Sequence, residues 1–328
     1  MITKSETIRP NAVDLLKVIF CVFIICLHTE FLENTIGVSS NLTWIIKQYF
    51  FRLAVPFFFV TSGYFLGEKL KGKDNAERWN IIRKYCIRLL KPLAIFEIIN
   101  IILPAVWVLK DGPEKLVSYG IDALKSAVLY PPGALWYLQA SIFGALLIGS
   151  LMCFFSERKV MIIGGLYAFA LLCNNYFFVT IKNPIGSMVN SYLKWFETAR
   201  NGLFVGFPLL MVGIHMSYTD FSFVRRRKIQ VLSMFMFIIE VLALKGRAFA
   251  DDGSLYVSHL IIAPLLLYFA INVSVGIKQE TSILLRNLST GMYFLHRIVL
   301  YVTVCVMEIM QVSYPLWVLL VLCFPLRC

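Results

Sequence analysis

Charged residues are scarce in this chain. Asp, Glu, Lys and Arg make up 15% of its 328 residues, where a soluble domain carries about 25%. Hydrophobic residues make up 59%, against about 45–50% in soluble domains. The apolar runs are numerous and evenly spaced, which leaves no room for a large soluble domain. The composition therefore predicts an all-α polytopic membrane protein.

Sequence signatures of the common soluble enzymes and of metal sites are also lacking. The chain has no P-loop, Rossmann fingerprint, GxSxG, HExxH or paired-carboxylate glycosidase pattern. Its eight cysteines form no CxxC and no zinc-like cluster with histidine, so we expect apolar packing residues and no metal. The net charge of +12 suits cytoplasmic loops of a membrane protein, so no nucleic-acid partner is expected.

Ten apolar runs are visible, and all but the last approach the twenty residues that a bilayer requires. The predicted spans are 12–31, 44–66, 89–109, 134–155, 160–179, 201–217, 229–244, 256–275, 288–308 and a shorter run at 315–326. A cytoplasmic N-terminus puts 19 basic residues in inside segments and 8 in outside segments, so both termini are predicted to be cytoplasmic. We expect an uncleaved first helix and a single integral membrane domain over 1–328.

The first apolar run carries four ionisable residues, Asp14, Lys17, His28 and Glu30. Such side chains are rare in hydrocarbon unless they face a protein interior or a water-filled cavity. Lys17 and His28 are eleven residues apart, so on a helix both lie on one face, about 16 Å apart along the axis. Asp14 lies one turn before Lys17 on that face. The spacing predicts a functional polar stripe on the first helix.

The other three histidines give weaker signals. A lone histidine in a membrane helix is more often a hydrogen-bonded structural residue than a catalyst, and we assign that role to His215 and His259. His296 is intermediate, because Tyr293 and Arg297 flank it on a helix that also contains Ser, Thr and Gly.

Several cations lie in or near predicted spans. Arg52 precedes Pro56 in the second span, where a buried guanidinium needs a carboxylate such as Glu97 or an anionic ligand, and both remain open. Arg200 either serves a ligand or extends its charge to the membrane interface. A basic cytoplasmic segment forms a local anion site if its helix extends past the membrane. Its cations are Arg78, Arg83, Lys84, Arg88 and Lys91.

Five stretches, in order, resemble the acyltransferase type 3 family of integral membrane proteins. They are Lys17 with His28, Pro56-Phe-Phe-Phe-Val-Thr-Ser-Gly-Tyr64, Arg83 to Arg88, Leu135-Trp-Tyr-Leu138 and Tyr293-Phe-Leu-His296. The resemblance covers residues 10 to about 305. The departures are lysine at position 17, where arginine is commoner in the family, and a short last helix.

The resemblance implies a bacterial plasma-membrane enzyme that moves an acyl group, usually acetyl, from cytoplasmic acetyl-CoA to a hydroxyl of a lipid-linked or cell-envelope carbohydrate. His28 is the expected catalytic residue, supported by Lys17 and Asp14, either as general base or as an acylated intermediate. The expected donor-binding residues are Lys17, Arg52, Arg83, Lys84 and Arg88. The expected acceptor-binding residues are Ser62, Trp136, Tyr137, Arg200 and His296.

The alternative is a multi-span transporter for an amino acid such as serine or for a glycan precursor. Buried charges and helices with Pro and Gly fit a solute carrier equally well. Some chains that resemble this family are joined to amino-acid racemase domains and linked to serine uptake. A transporter should have two related halves, and no inverted repeat is visible in the sequence. A structural scaffold would leave the stripe of Lys17 and His28 unexplained.

Overall fold

The computed structural model describes residues 11–29, 32, 39–112, 114–129, 135–157, 160, 164–219 and 226–310. These residues form helices and connecting turns, and no strand occurs among them. The predicted all-α class is therefore confirmed. Glu30 and the last predicted apolar run at 315–326 lie outside the described residues.

Twelve α-helices lie in the described part of the chain. In order they are α1 (Asn11–His28), α2 (Ser40–Tyr49), α3 (Ala54–Leu70), α4 (Asn75–Asp111), α5 (Lys115–Leu129), α6 (Trp136–Met152), α7 (Tyr167–Leu172), α8 (Pro184–Phe196), α9 (Phe207–Tyr218), α10 (Arg227–Leu244), α11 (His259–Asn272) and α12 (Gln279–Met310). Three 3₁₀ turns lie at Phe51–Leu53, Gly164–Leu166 and Phe177–Val179, and a π-helical turn at Gly202–Gly206.

Helices long and apolar enough to cross a membrane are found at Asn11–His28, Ser40–Leu70 and Gln279–Met307. Shorter apolar helices lie at Trp136–Met152, Gly202–Tyr218 and His259–Asn272. A membrane-spanning fold agrees with these lengths and compositions. The count of ten spans and the cytoplasmic position of both termini stay predictions.

The basic segment between the second and third predicted spans, Glu68 to Arg88, is predicted as a loop but is largely helical. α4 begins at Asn75, because the Asp74 side chain accepts a hydrogen bond from the backbone N–H of Glu77 at 2.8 Å and caps the first turn. The Lys and Arg residues that follow are good helix formers, so their charge does not end the helix. The basic side chains therefore lie on one continuous helix with the predicted third span.

Two other predicted loops, 110–133 and 180–199, contain α5 and α8. The Asn183 side chain caps α8 by accepting from the Ile185 N–H at 3.0 Å, and Pro184 occupies its first turn. Neither helix has a long apolar run, so neither is predicted as a span. The predicted fifth span is not one continuous helix over 164–179, because only the six residues of α7 are α-helical there.

The described residues group into two compact units. The terminal unit contains residues from 1–54 and 265–328, and the central unit contains residues from 55–264. The single domain over 1–328 stays a prediction.

In the terminal unit, polar contacts between α1 and α12 recur every seven residues on both helices. The pairs are Asp14 with Ser282 (2.8 Å, Oδ2 to Oγ), Cys21 with Ser289 (3.2 Å, Sγ to carbonyl O) and His28 with His296 (5.3 Å between ring centroids). Residue numbers rise together, so the helices run parallel. Seven residues make two turns, the repeat that keeps the same faces of parallel helices in contact. We call this interface the α1–α12 seam.

In the central unit, glycines allow α3 and α9 to touch through their backbones. A Cβ at Gly63 would lie 2.1 Å from the Leu210 carbonyl oxygen, and one at Gly213 would lie 2.1 Å from the Val60 carbonyl oxygen. Small residues permit this close approach in apolar helix pairs. The Pro-Phe-Phe-Phe stretch and Ser62 are thereby fixed against α9.

Candidate active site

His28 and His296 lie side by side in the terminal unit. Their rings are stacked, with centroids 5.3 Å apart and an interplanar angle of 28°. His28 is the last residue of α1 and is exposed, whereas His296 is fully buried on α12. The structure thus brings together the predicted catalytic histidine and a histidine predicted to contact the acceptor.

The hydrogen bonds of His296 determine which of its ring nitrogens carries the proton. Nδ1 lies 2.8 Å from the carbonyl oxygen of Tyr293 and 3.1 Å from that of Met292. A carbonyl oxygen can only accept, so Nδ1 is the donor in these bonds. In the neutral ring the lone pair therefore lies on Nε2. The histidine pair contains one ring with a fixed tautomer and one ring open to its surroundings.

Asp14 lies at the other end of α1, among residues of α12. Its Oδ2 accepts from Ser282 Oγ at 2.8 Å and from Arg286 Nη2 at 3.2 Å, and the residue is only 1% exposed. Fourteen residues separate it from His28, which is about 21 Å along a helix. The structure therefore does not bring Asp14 to the His28 ring, and Asp14 instead anchors Arg286.

Sequence reasoning did not single out Arg286, which lay in a predicted loop with other charges. The available signal was a seven-residue spacing of polar positions, Ser282, Ser289 and His296, that matches the spacing of Asp14, Cys21 and His28. Lys17 lies between the first two α1 positions, half-buried and close enough to the Cys21 thiol to act on it electrostatically.

The predicted donor-binding cations are divided between the two units. Lys17 and Arg52 belong to the terminal unit, where Phe51, next to Arg52, contacts Phe23 of α1 with ring centroids 5.1 Å apart. Three cations lie exposed on α4 in the central unit: Arg83, Lys84 and Arg88. Glu97, the alternative partner predicted for Arg52, is buried in the central unit.

Four of the predicted acceptor-binding residues lie close together in the central unit. Ser62 Oγ is 2.9 Å from Tyr137 Oη, which joins α3 to α6. Trp136 precedes Tyr137 in the chain, and the Arg200 guanidinium lies 5.6 Å from the centroid of its ring. The Ser62–Tyr137 contact and the Arg200–Trp136 contact are therefore neighbours, because Trp136 and Tyr137 are consecutive residues in the first turn of α6. His296, the fifth predicted residue, belongs to the terminal unit.

Arg200 is paired with carboxylates rather than extended alone toward a membrane interface. Its Nη1 lies 2.9 Å from Asp252 Oδ2, and its Nη2 lies 3.1 Å from Asp251 Oδ1. Asp251 Oδ2 also accepts from the Thr198 hydroxyl. Burial raises the pKa of Asp251 above its ordinary value, although Arg200 acts in the opposite direction. Burial works to lower the pKa of Arg200, but Asp252 and Asp251 raise it.

The two remaining histidines contact nearby side chains of the central unit. His215 Nδ1 hydrogen-bonds to Glu157 Oε1, and His259 is fully buried against the rings of Tyr256 and Phe237. Their structural role stays a prediction. Across the described ranges, no group of three His, Cys, Asp or Glu side chains is arranged to hold a metal ion.

Comparison with known families identifies the class of this membrane protein. The family described as "Acyltransferase domain", the type 3 acyltransferases, matches residues 11–326. The chain belongs to this family. The predicted resemblance is confirmed over nearly the whole chain.

Curated relatives carry other names. An "Amino-acid racemase" of Enterococcus faecalis is 24% identical over 303 residues, which is 90% of this chain and 41% of the racemase. A "Serine/alanine racemase" of Enterococcus gallinarum is 26% identical over 268 residues, which is 80% of this chain and 36% of that protein. The chain thus spans about two fifths of the length of these relatives. No solved structure matches it significantly.

Proposed function

We propose that this acyltransferase moves an acetyl group from cytoplasmic acetyl-CoA to a hydroxyl of a lipid-linked or cell-envelope carbohydrate across a bacterial plasma membrane. The observation that carries the proposal is the stacked pair of His28 and His296 at the end of α1. The Enterococcus relatives support a bacterial setting. The acyl group, the donor and the acceptor are parts of this proposal.

The reaction requires a base beside the acceptor hydroxyl. His28 is exposed, so its imidazole takes the hydroxyl proton while the oxygen attacks the thioester carbonyl. The C–S bond then breaks, and the CoA thiolate leaves and takes up a proton. In the second route, His28 attacks the thioester first and passes the acyl group to the hydroxyl. In the first route the acyl carbon forms a bond to the acceptor oxygen and loses its bond to sulfur. In the second route it first exchanges its bond to sulfur for one to the His28 nitrogen, and then exchanges that bond for one to the acceptor oxygen, whose proton is taken up by the imidazole.

The donor is a polyanion with a long, thin arm, so it needs cations away from the reacting thioester. Lys17 lies on α1 eleven residues before His28, about 16 Å along the helix. Arg52 belongs to the same unit. The other three predicted donor-binding cations, Arg83, Lys84 and Arg88, lie exposed on α4 of the central unit.

Within the central unit, the residues predicted to contact a carbohydrate are grouped around the first turn of α6. Ser62 and Tyr137 offer hydroxyls that pair with sugar hydroxyls, and Trp136 offers an aromatic face. Arg200, held by two carboxylates, keeps Trp136 in place and is the positioning residue of this group.

Binding of labelled acetyl-CoA tests this function against its main rival. The purified chain in lipid nanodiscs should bind acetyl-CoA saturably, and unlabelled CoA should displace the label. Absence of binding, together with uptake of a solute into vesicles, would contradict an acyltransferase that uses CoA.

The second candidate function is a transporter for an amino acid such as serine. It is favoured by the match to Enterococcus proteins named as racemases of amino acids, one of them of serine and alanine. Proteoliposomes containing this chain should then accumulate labelled serine without acetyl-CoA. Formation of an O-acetyl ester on serine would instead retain the acyltransferase and change only its acceptor.

A further inference from the structure

Arg286 lies at the end of the α1–α12 seam opposite the two histidines. Its Nε and Nη2 lie 3.4 and 3.2 Å from Asp14 Oδ2, and 34% of its side-chain surface is exposed. The guanidinium has three further N–H groups beyond this edge. Lys17 is one turn along α1 from Asp14. Two basic side chains, Lys17 and Arg286, and one acidic side chain, Asp14, therefore lie at this end of the seam.

The separation between this charge and the histidines is similar on both helices. Ten residues lead from Arg286 to His296, about 15 Å, and eleven lead from Lys17 to His28, about 16 Å. The arm that joins the CoA diphosphate to its sulfur has about twelve bonds, which spans on the order of 15 Å when extended. A donor whose phosphates meet the cations therefore places its thioester beside the histidine pair.

We infer that Arg286 and Lys17 bind the diphosphate of the acyl-CoA and that its arm lies along the α1–α12 seam. This inference rests on the proposed function and adds Arg286 to the donor site. Guanidinium groups bind phosphate oxygens through two parallel N–H bonds, and Asp14 orients the group for this contact. The seam then selects donors whose arm matches the distance from the cations to the histidines.

The predicted topology supports this orientation of the donor. The first and ninth predicted spans run in the same direction, as α1 and α12 do in the terminal unit. A cytoplasmic N-terminus puts Lys17 and Arg286 at the cytoplasmic end, where the donor is available. His28 and His296 are then displaced toward the outer side, where the carbohydrate would be reached.

The rival explanation makes Arg286 a structural tie between the two helices. A tie depends equally on both partners, so Arg286→Gln and Asp14→Asn would weaken acetyl-CoA binding to the same extent. A phosphate-binding role predicts opposite effects. Arg286→Gln removes a charge that attracts the ligand, whereas Asp14→Asn removes a charge that repels it and keeps a side-chain oxygen for the guanidinium.

The experiment measures the Kd of labelled acetyl-CoA for the full chain in nanodiscs. Arg286→Gln should raise the Kd about tenfold or more, as expected for one charge-assisted hydrogen bond. Asp14→Asn should lower it a few-fold. The exposed Lys278, just before α12, provides the control, and Lys278→Gln should leave the Kd within about twofold.

An unchanged Kd in Arg286→Gln, or equal losses in Arg286→Gln and Asp14→Asn, would overturn the inference while leaving the proposed function intact. Failure of the unmodified chain to bind acetyl-CoA would instead overturn the proposed function. Thermal unfolding of each ligand-free variant shows whether it is folded. If Arg286→Gln does not fold, Arg286→Lys replaces it, and because lysine keeps the charge, this variant should retain part of the affinity for acetyl-CoA.

Discussion

The ring of His28 lies against the ring of His296, with 5.3 Å between their centroids, at the end of α1 where His28 is exposed. Two adjacent rings do not both take a positive charge without repulsion. A proton accepted by one ring therefore opposes protonation of the other. Under the proposed function, His28 is the ring that accepts the proton of the acceptor hydroxyl.

Substitution of His296 tests whether its ring does more than fill space. His296→Asn retains an amide N–H near the position of Nδ1 and removes Nε2, while His296→Phe retains a ring and removes both nitrogens. We expect both variants to lower the rate of acetyl transfer at least tenfold, because the Nε2 atom of the ring stacked on His28 is lost. The measurement is the initial rate of CoA release with a carbohydrate acceptor.

Full activity in His296→Phe would show that the ring serves only packing. Full activity in His296→Asn with loss in His296→Phe would show that the Nδ1 bonds to the Met292 and Tyr293 carbonyls are all that matters.

The close contact between α3 and α9 predicts a steric effect of adding one methyl group. Gly63→Ala places a Cβ 2.1 Å from a backbone carbonyl oxygen, so the helices must separate. We expect a loss of roughly 1–3 kcal/mol of stability, as for other overpacked sites. Gly291→Ala on α12 is the control, because its Cβ meets no atom within 4 Å. Equal unfolding temperatures for the two variants would contradict the contact.

The carboxyl group of Asp251, in the loop before α11, should make the stability of the folded chain depend on pH. Burial raises its pKa above 3.8 in the folded chain. Its stabilising contribution is therefore complete below pH 3.8 and is lost as the pH rises through the folded-state value. The pKa of Arg200 is raised above its ordinary value by Asp252 and Asp251, so its charge stays constant over this interval.

The comparison variant is Asp251→Asn, since asparagine tolerates the φ of +57° at this position. Unfolding measured from pH 3.5 to 7 should show a stability difference between the unmodified chain and the variant that falls as pH rises. Parallel stability curves would mean that Asp251 does not titrate in this way.

Features that depend on one helix were accessible from the sequence. The shared face of Lys17 and His28 follows from a spacing of eleven residues, and α1 does contain both. The all-α class follows from the composition, because long apolar runs in a bilayer must satisfy their backbone hydrogen bonds within each helix. The sequence singles out Ser62 and Tyr137 as separate motif residues but does not predict the contact between them.

Features that depend on pairing distant segments were not accessible. His28 and His296 are 268 positions apart, and only the packing of α12 along α1 brings them together. Arg286 lies in a predicted loop, and its pairing with Asp14 arises only because α12 packs along α1. Arg200 was assigned to a ligand or an interface because its partners, Asp251 and Asp252, lay in a loop of mixed charge.

The most direct test of the central claim is the acetyl ester content of envelope glycans in cells that carry His28→Ala. Mass spectrometry should show a loss of at least about 100-fold relative to the unmodified protein, because removal of a general base or an acylated nucleophile costs about that much or more. Lys278→Gln, at an exposed position, should retain normal esters at equal protein levels. Unchanged esters in His28→Ala would contradict the catalytic role of this histidine.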